Sequence, residues 1–570
     1  QPQANQITWH GDPAPNGGTY ENDIFMLSTF TQFSRCQGCT GNSGSGTMVI
    51  TPSATLKNNV NEGSINATVP GDPLGTSTAR WTATIPWYQK FTSPSPPYNN
   101  DQHPYLIWNM YRNNPDGSLE QIGRSGVKHA YLTTNGSCLD SNDHHGHALG
   151  RGCTDTYSVS NNDYTQGMTS RDEILPASGL WGRCGSVFDP DCNGVQNTSP
   201  GDSYSYRLLV NEAQVSPTAN PGATFLFESW YVARSDINIY NSMSSRVTTP
   251  TWTGSTWNIG SSAERLGSVI DRWFGTAPPP FNPRNPRMNP DKERRLMTEL
   301  VAGDARAKLA VKAKRLPTGD WEYHYALMNF EFAFAETTGS TPNLRITSTQ
   351  GFDAFELETA SGGSITSTRV RDGDLDADND WAFTVGAESV EFAAGSGGRT
   401  LGWGELYSFT VRSTKAPVAG TAVDRHPRRV TGDAAGQHHV PQARGPAVGH
   451  RPPHADPDAP LAGEELPAER LGEGGEESAA ERGGDRHGGE DVPAGEQGPG
   501  PDEAHGEGEE HEGEHEHEHP GEDSRQARIP AGRVADRPVG RSTHPAVVPR
   551  SRSRASTSTS RWSTEARIPA

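Results

Sequence analysis

The first residues that could do chemistry are oxygen-bearing side chains at alternate positions of one short segment. Residues 189–197 read Asp-Pro-Asp-Cys-Asn-Gly-Val-Gln-Asn. This order reproduces the front half of a calcium-binding loop, in which alternate oxygen atoms converge on a hard cation and Gly194 permits the sharp turn between them. The predicted calcium ligands are side-chain oxygens and one main-chain carbonyl, from Asp189, Asp191, Asn193, Val195 and Asn197.

The same segment departs from an EF-hand at its far end. Pro200 stands where the bidentate glutamate is expected, and Asp202 comes two residues too late. The segment resembles instead the thrombospondin type-3 calcium repeats, in which a similar run of Asp and Asn lies beside a cysteine. The alternative is a turn rich in Asp, Asn and Gly without a metal. A second acidic run, 372–380, has Asn379 where such a loop needs glycine, and we interpret it as a solvated hairpin loop.

A second candidate metal site is a cluster of histidines inside the long irregular stretch 133–203. Residues 143–147 read Asp-His-His-Gly-His, which brings three imidazoles into one glycine-containing turn. Imidazole is a ligand for both zinc and copper, so two of these rings could share a transition metal, with His129 or Asp155 completing the set. The alternative is an exposed loop without function. The predicted copper or zinc ligands are His129, His144, His145 and His147.

Six cysteines accompany these candidates. Their short spacing predicts three local disulfides among fifteen possible connectivities, namely Cys36–Cys39, Cys138–Cys153 and Cys184–Cys192. A zinc site on the Cys-x-x-Cys pair is the alternative, but a zinc ribbon needs a second such pair and the sequence has none.

Oxidised cysteines indicate an extracellular or periplasmic protein. The chain begins at Gln1 without a hydrophobic leader, and we interpret it as a secreted form whose signal peptide has been removed.

Several function classes lack their sequence motifs. The sequence has no Gly-x-Ser-x-Gly nucleophile elbow, no phosphate-binding P-loop and no dinucleotide fingerprint after a strand. A net charge of −20 without a basic stripe argues against nucleic acid as a partner. No apolar run reaches the ~20 residues of a membrane-spanning helix. Carboxylate pairs for sugar cleavage come from distant positions and cannot be recognised in a sequence.

Alternating apolar residues between clusters of Gly, Asn, Pro and Asp predict β-strands. In the N-terminal part, strands are predicted at 81–87, 105–111, 204–210 and 224–232.

Six prolines between residues 278 and 290 predict a stiff linker. Beyond it, Asn289 as N-cap and Gly303 as terminator predict one short helix. Residues 308–327 predict a hairpin with one buried and one solvated face, which places His324 at the surface. Further strands are predicted at 352–358, 381–392 and 403–412.

The predicted fold class is therefore all-β, with two antiparallel β-sandwich-like domains and a disordered tail. The predicted divisions are an N-terminal domain at 1–273 with the disulfide-tied loop region 133–203, a linker at 274–290, a C-terminal sandwich at 291–416 and a tail at 417–570.

The tail differs chemically from the rest of the chain. From residue 421 onward it has no Asn and a single aromatic side chain, Trp562, so it has too little apolar surface to offset the entropy of ordering its backbone. It holds twelve of the nineteen histidines, many alternating with glutamate. One interpretation is a low-complexity, metal-buffering tail. The other is a translated wrong reading frame of GC-rich DNA. Neither makes these histidines a defined site.

Five segments of the body have distinctive sequences: GRSGVKHAY at 123–131, GCTDTY at 152–157, FDPDCNG at 188–194, WEYHYALMN at 321–329 and LGWGELYSF at 401–409. Together they resemble a family of large secreted bacterial β-rich proteins that has no assigned activity. The resemblance covers most of 1–416 and none of the tail. It implies export and a β-rich body, and it brings no catalytic residue.

Two functions follow as hypotheses. The first is a secreted or cell-surface β-sandwich protein, calcium-stabilised around 184–202, with a binding or structural role. The second is an extracellular copper- or zinc-dependent enzyme that acts on an extracellular polymer. The partner would be such a polymer or a glycan. Trp252, Trp257 and Trp403 are the aromatic side chains that could stack on sugars, although core packing explains most tryptophans in sandwiches.

Overall fold

The computed structural model describes residues 8–14, 18–42, 44–59, 82–87, 103–137, 146–164, 167–197, 201–275, 294–359, 364–395 and 398–417, together with the backbone of 420–425 and 562–566. This part of the chain is built from antiparallel sheets and confirms the all-β fold class. Its helices are short, α1 at Val159–Asn162, α2 at Glu212–Val215 and α3 at Val269–Phe274, besides two 3-10 turns at Arg171–Glu173 and Pro176–Ser178.

One large antiparallel sheet dominates the N-terminal part. The strands of this part are β1 Ile24–Gln37, β2 Thr47–Asn58, β3 Ile85–Pro86, β4 Tyr105–Asn113, β5 Leu119–Arg124, β6 Val127–His129, β7 Ala148–Leu149, β8 Thr154–Tyr157, β9 Met168–Thr169, β10 Ile174–Leu175, β11 Leu180–Trp181, β12 Leu208–Asn211, β13 Thr224–Val232, β14 Met243–Trp252 and β15 Trp257–Leu266. The main sheet has the order β1-β2-β12-β5-β4-β13-β14-β15. Its two end strands, β1 and β15, also contact each other, so the sheet curls back on itself.

The predicted strands at 105–111 and 224–232 are confirmed by β4 and β13. The predicted strand at 204–210 is wrong in its first half, where the Asp202 carboxylate accepts hydrogen bonds from the amides of Tyr204 and Ser205 and closes a turn. Only β12 remains of it. Of the predicted strand 81–87, the structure has β3. Thr82 makes a single bridge to Glu21, and residue 81 lies outside the described part.

Two further sheets form the C-terminal part. Its strands are β16 Arg294–Ala302, β17 Ala305–Arg315, β18 Trp321–Asn329, β19 Phe334–Thr338, β20 Arg345–Gln350, β21 Ala354–Glu358, β22 Ile365–Arg371, β23 Ala382–Val385, β24 Ser389–Ala393, β25 Glu405–Ser413, β26 Gly420–Arg425 and β27 Trp562–Ala566. The first sheet has the order β16-β17-β18-β25-β22 and the second β23-β24-β21-β26-β27. A cluster of buried aromatic and aliphatic side chains, including Phe355 and Phe409, fills the space between them and makes a sandwich.

The sheet β16-β17-β18-β25-β22 is also covered on its other face. Ala326, Met328 and Leu406 belong to a hydrophobic cluster that includes Tyr105 and Ile107 of β4. The amide of Leu406 donates to Gln121 Oε1 over 3.0 Å, which ties β25 to β5. The C-terminal sandwich therefore packs on the N-terminal sheet, giving three layers within one compact unit of the chain.

The prediction of a solvated face on the hairpin β17–β18 is wrong. Lys308, Lys312, Glu322 and His324 occupy that face and are all buried. Lys308 Nζ is 3.0 Å from both carboxylate oxygens of Asp271 in α3. Glu322 is paired within its own sheet, with Lys314 and Arg412. Alternation of charged and apolar residues predicted the strands correctly. It could not show whether the charged face meets solvent or is buried against polar groups of another part of the protein.

The predicted helix between Asn289 and Gly303 is also wrong. Arg294–Ala302 is strand β16, which pairs with β17 across the turn at Gly303, whose φ is +62°. Leu296 and Leu300 contribute to the cluster inside the sandwich, whereas Met297 packs on the opposite side. This two-residue alternation is the strand periodicity, and pairing along the whole of β17 overrides the capping pattern.

The remaining predictions on organisation are partly outside the described residues. The disulfides Cys36–Cys39 and Cys184–Cys192 are confirmed, which removes the zinc alternative for the first pair. Cys153 is disulfide-bonded, and its predicted partner Cys138 lies outside the described part. The linker and most of the tail lie outside it too, as does the whole of a second unit, Ala447–Arg554. Two backbone segments beyond 416 are described, and both are strands, β26 and β27.

Candidate functional site

The histidines predicted as metal ligands do not share a site in the described part of the chain. His129 ends β6 and is fully buried. Its Nε2 lies 3.1 Å from Thr169 Oγ1. His147 Nδ1 lies 3.2 Å from the carbonyl oxygen of Trp87 instead. His144 and His145 lie outside the described residues. Within those residues, no three His, Cys, Asp or Glu side chains are placed to hold a metal ion.

His129 is paired with a histidine that the sequence did not single out. His103 Nε2 and His129 Nδ1 are 2.8 Å apart, and both rings are buried. Their neighbours are aromatic: Tyr105 lies beside His103 with ring centroids 4.8 Å apart, and Trp181 and Phe188 lie 4.9 and 5.7 Å from His129. The sequence did carry one signal, since His-x-Tyr occurs at both 103–105 and 129–131, on segments that pair as β4 and β6.

Glu173 connects this histidine pair to the predicted calcium loop. Its Oε1 accepts a hydrogen bond of 2.9 Å from the amide of Val187, inside the Cys184–Cys192 loop. Its Oε2 accepts one of 3.4 Å from Trp181 Nε1. Burial raises the pKa of Glu173 to about 7, although these hydrogen bonds act in the opposite direction. The two regions that the sequence marked for chemistry therefore meet around Trp181 and Phe188.

The predicted calcium ligands of 189–197 point in different directions. The Asp189 carboxylate is buried, accepts hydrogen bonds from the amide of Gly194 at 3.2 and 3.3 Å, and lies 3.6 Å from Arg183 Nε. Asp191 and Asn193 are exposed and hydrogen-bonded to each other over 2.8 Å. The predicted ligands Val195 and Asn197 follow, with Val195 63% exposed. The arginine supplies a positive charge for Asp189, and a calcium site here stays a prediction.

A cleft of about 520 Å³ opens between the N-terminal sheet and the sandwich. This volume is within the range of about 300–1,000 Å³ that small-ligand sites usually have. Segments that are far apart in sequence line it: Arg124, Ser125, Gly126, Ser170, Arg171, Asp172, Tyr206, Arg207, Leu209, Phe332, Ala333, Thr349, Gln350, Gly351, Arg399, Thr400, Gly402, Trp403 and Glu405. Four arginines against two carboxylates make the lining positive, although the whole chain has a net charge of −20.

Two of these arginines share one carboxylate. Arg124 Nη1 and Arg399 Nη2 lie 2.6 Å from the two oxygens of Glu405, one on each side. Arg399 Nη1 also binds Asp374 Oδ2 over 2.7 Å. Arg124 makes no other side-chain hydrogen bond to the described residues and is 34% exposed. Because a guanidinium has five N–H donors, four of those of Arg124 have no partner among the described residues.

Arg171 forms the floor of the cleft. It is buried and donates to the carbonyl oxygens of Ser125 and Gly404, each over 2.8 Å, and to Asn109 Oδ1 over 2.9 Å. Trp403 Nε1 donates back to the carbonyl of Arg171 over 3.0 Å. Arg171 therefore connects the N-terminal sheet to the turn before β25, and its donors bind protein acceptors. The next residue, Asp172, accepts a hydrogen bond of 2.9 Å from Thr349 across the cleft.

Comparisons with known proteins add little to this geometry. No protein-family model matches the chain. No curated protein matches it either. Among solved structures, one distant neighbour is the N-terminal domain of the Streptococcus gordonii adhesin Sgo0707, with 9% sequence identity and a TM-score of 0.14, covering 74% of this chain and 94% of that one. In the described part of the chain, no helix is long and apolar enough to cross a membrane.

Proposed function

We propose that this chain is a secreted binding protein that holds an acidic saccharide in the cleft between its N-terminal sheet and its C-terminal sandwich. The observation that carries the proposal is Arg124, which lines the cleft and has four N–H donors without a partner among the described residues, besides the one that binds Glu405. A planar guanidinium matches the two oxygens of a carboxylate, so a sugar acid is a better partner than a neutral sugar.

The rest of the lining suits a ligand rich in hydroxyl groups. Ser170 and Thr400 bring side-chain hydroxyls to the lining, whereas the Ser125 hydroxyl is buried, donates to the carbonyl of Gly126 and accepts from the amide of Trp108. Tyr206 is half-buried and supplies aromatic surface beside them, which suits the apolar face of a sugar ring, whereas Phe332 is buried in the sandwich core. Trp403, named above as a possible stacking residue, is 3% exposed and supports the floor rather than the ligand.

The disulfides support an oxidising location for this protein. The pairs Cys36–Cys39 and Cys184–Cys192 are formed, and such bonds persist outside the cytosol. An extracellular saccharide would be available to a protein in that compartment. The calcium ion of the leading hypothesis and the copper or zinc enzyme of the alternative both stay predictions. The second uses His144 or His145 together with His147, and both His144 and His145 lie outside the described residues.

A binding screen on immobilised saccharides tests the proposal. The full chain should bind galacturonate oligomers and should lose most of that binding when the same oligomers carry methyl-esterified carboxyls. The ester keeps the ring and its hydroxyls and removes only the charge, so it is a matched control. Equal binding to the acid and to its ester, or binding to neither, would overturn the proposal.

A further inference from the structure

A lysine and an aspartate meet in the interior, where α3 packs on β17. Lys308 lies on β17 and Asp271 in α3, and their side chains are only 2% and 1% exposed. Lys308 Nζ lies 3.0 Å from Oδ1 and 3.0 Å from Oδ2 of Asp271. Because the nitrogen is equally far from both oxygens, it is centred on the carboxyl group. The carboxyl carbon is then within about 3.5 Å of Nζ, which is the separation of reacting atoms in a near-attack geometry.

Aromatic rings shield this pair from water. Lys308 Nζ lies 3.7 Å from the centroid of the Tyr240 ring and 5.9 Å from that of Phe330. Both rings belong to the hydrophobic cluster that joins the N-terminal sheet to the sandwich. Burial removes the hydration that stabilises an ammonium and a carboxylate, so it favours the neutral amine and the neutral acid. Condensation of an amine with an acid releases water, and a site that excludes water therefore favours the product.

The carboxyl group of Asp271 is held in a fixed orientation. Ser268, the N-cap residue of α3, donates its hydroxyl hydrogen to Asp271 Oδ2. Burial raises the pKa of Asp271 above its ordinary value, although the charge of Lys308 acts in the opposite direction. A protonated carboxyl group is a better electrophile than a carboxylate. A hydroxyl that donates to Oδ2 also stabilises the negative charge that develops on this oxygen when an amine attacks.

We propose that Lys308 and Asp271 form an intramolecular isopeptide bond, with the ion pair as the starting state. The bond between Nζ and the carboxyl carbon forms, and the bond between that carbon and one carboxylate oxygen breaks. Two protons of the ammonium group leave on this oxygen as water, so atoms and charges balance without an oxidant, a metal or a second substrate. The fold supplies proximity, which in well-oriented intramolecular reactions is equivalent to a reactant concentration of about 10⁵–10⁸ M.

The amide links the two parts of the protein covalently. It joins α3 of the N-terminal part to β17 of the sandwich and closes the chain between residues 271 and 308 into a loop, so the two parts stay together when the fold opens locally. The amide also replaces two buried charges with one neutral group, which removes the desolvation cost of the ion pair. This proposal stands without the saccharide proposal.

Intact-mass spectrometry of the full chain tests the bond. After denaturation and reduction of the disulfides, the wild-type protein should be lighter than its sequence by the mass of one water molecule. Lys308→Arg keeps the positive charge but puts a guanidinium, which stays protonated and does not attack, in place of the amine, so this deficit should be absent. Lys312→Arg changes the next lysine on the same face of β17 and is the matched control, which should keep the deficit.

Peptide mapping of the wild-type protein gives a second readout that does not depend on whether Lys308→Arg folds. Trypsin does not cleave after an acylated lysine, so one branched peptide should join the segment that contains Asp271 to the segment that contains Lys308. A reduced wild-type chain with its full sequence mass, a deficit that persists in Lys308→Arg, or a branched peptide between other residues would rule the bond out. Neither readout uses a saccharide, so the result is independent of binding in the cleft.

Discussion

His103 Nε2 lies 2.8 Å from His129 Nδ1 inside the N-terminal sheet, and His129 Nε2 continues the chain of contacts to Thr169 Oγ1 at 3.1 Å. One ring nitrogen of the close pair must donate and the other must accept, so the two imidazoles cannot both be protonated there. Both nitrogens of His129 are therefore occupied by protein groups, which makes this residue a structural link between the segment before β4, β6 and β9.

Replacement of His129 should destabilise the fold. In His129→Phe the ring volume is kept, but His103 and Thr169 lose a buried partner, so we expect a loss of about 1–3 kcal/mol in the free energy of unfolding. Urea unfolding followed by tryptophan fluorescence measures it. His147→Phe is the comparison, since His147 is only half-buried and should cost less. An equal or smaller loss in His129→Phe would contradict the structural role.

The same variant separates two views of metal binding. Since both nitrogens of His129 contact protein atoms, His129→Phe should bind as much zinc and copper per chain as the wild-type protein does. A copper or zinc site completed by His129 requires a deficit, whereas one completed by Asp155 does not. Elemental analysis after dialysis compares the two proteins directly, because both carry the same His-rich tail.

The pKa of Glu173, raised to about 7, predicts how stability depends on pH. The folded state holds this proton more tightly than the unfolded chain, whose Glu side chain titrates near 4.3. Stability from this group is therefore complete below about pH 4 and is lost as pH rises through about 7. In Glu173→Gln, the fall in the free energy of unfolding between pH 5 and pH 7.5 should be smaller by about 1–3 kcal/mol. The exposed Glu388→Gln should leave the fall unchanged. A parallel pH profile for Glu173→Gln would contradict the assignment.

The ion pair between Lys308 and Asp271 predicts a strong coupling between the layers. Both side chains are buried, and Lys308 Nζ also lies 3.7 Å from the centroid of the Tyr240 ring. Lys308→Met leaves a buried carboxylate without its partner and should cost about 3–5 kcal/mol of unfolding free energy. Adding Asp271→Asn should restore part of it, whereas the exposed Lys415→Met should cost almost nothing. Additive losses in the double variant would show that the pair is not coupled.

Sequence periodicity predicted the strands more reliably than it predicted their surroundings. The hairpin β17–β18 lies where its alternation placed it, but Lys308 and His324 are buried because the N-terminal part of the chain covers them. Lys308 meets Asp271 of α3 and the ring of Tyr240 there. The sequence of the hairpin alone could not predict that a second layer covers this face. The helix predicted before Gly303 failed for a related reason, since long-range pairing with β17 decides the conformation of β16.

For the sites too, contacts between residues close in sequence could be predicted, and contacts between residues far apart in sequence could not. The disulfide Cys184–Cys192 could be predicted from spacing alone, because its residues are close in sequence. The cleft could not, because Arg124, Arg171, Arg399 and Glu405 meet only after both sheets have formed. His103 was missed because nothing in its immediate sequence distinguishes it from a surface histidine; only its repeat of the His129 pattern does.

Isothermal titration of trigalacturonate into the full chain, the Arg124→Gln variant and the Arg315→Gln variant tests the cleft most directly. Arg315 is exposed on the hairpin and lies outside the cleft lining, so it is a matched arginine control. We expect Arg124→Gln to weaken binding about 10-fold, which corresponds to about 1.4 kcal/mol, while Arg315→Gln binds as the wild-type protein does. Equal affinities for all three proteins would contradict binding of an acidic saccharide at Arg124.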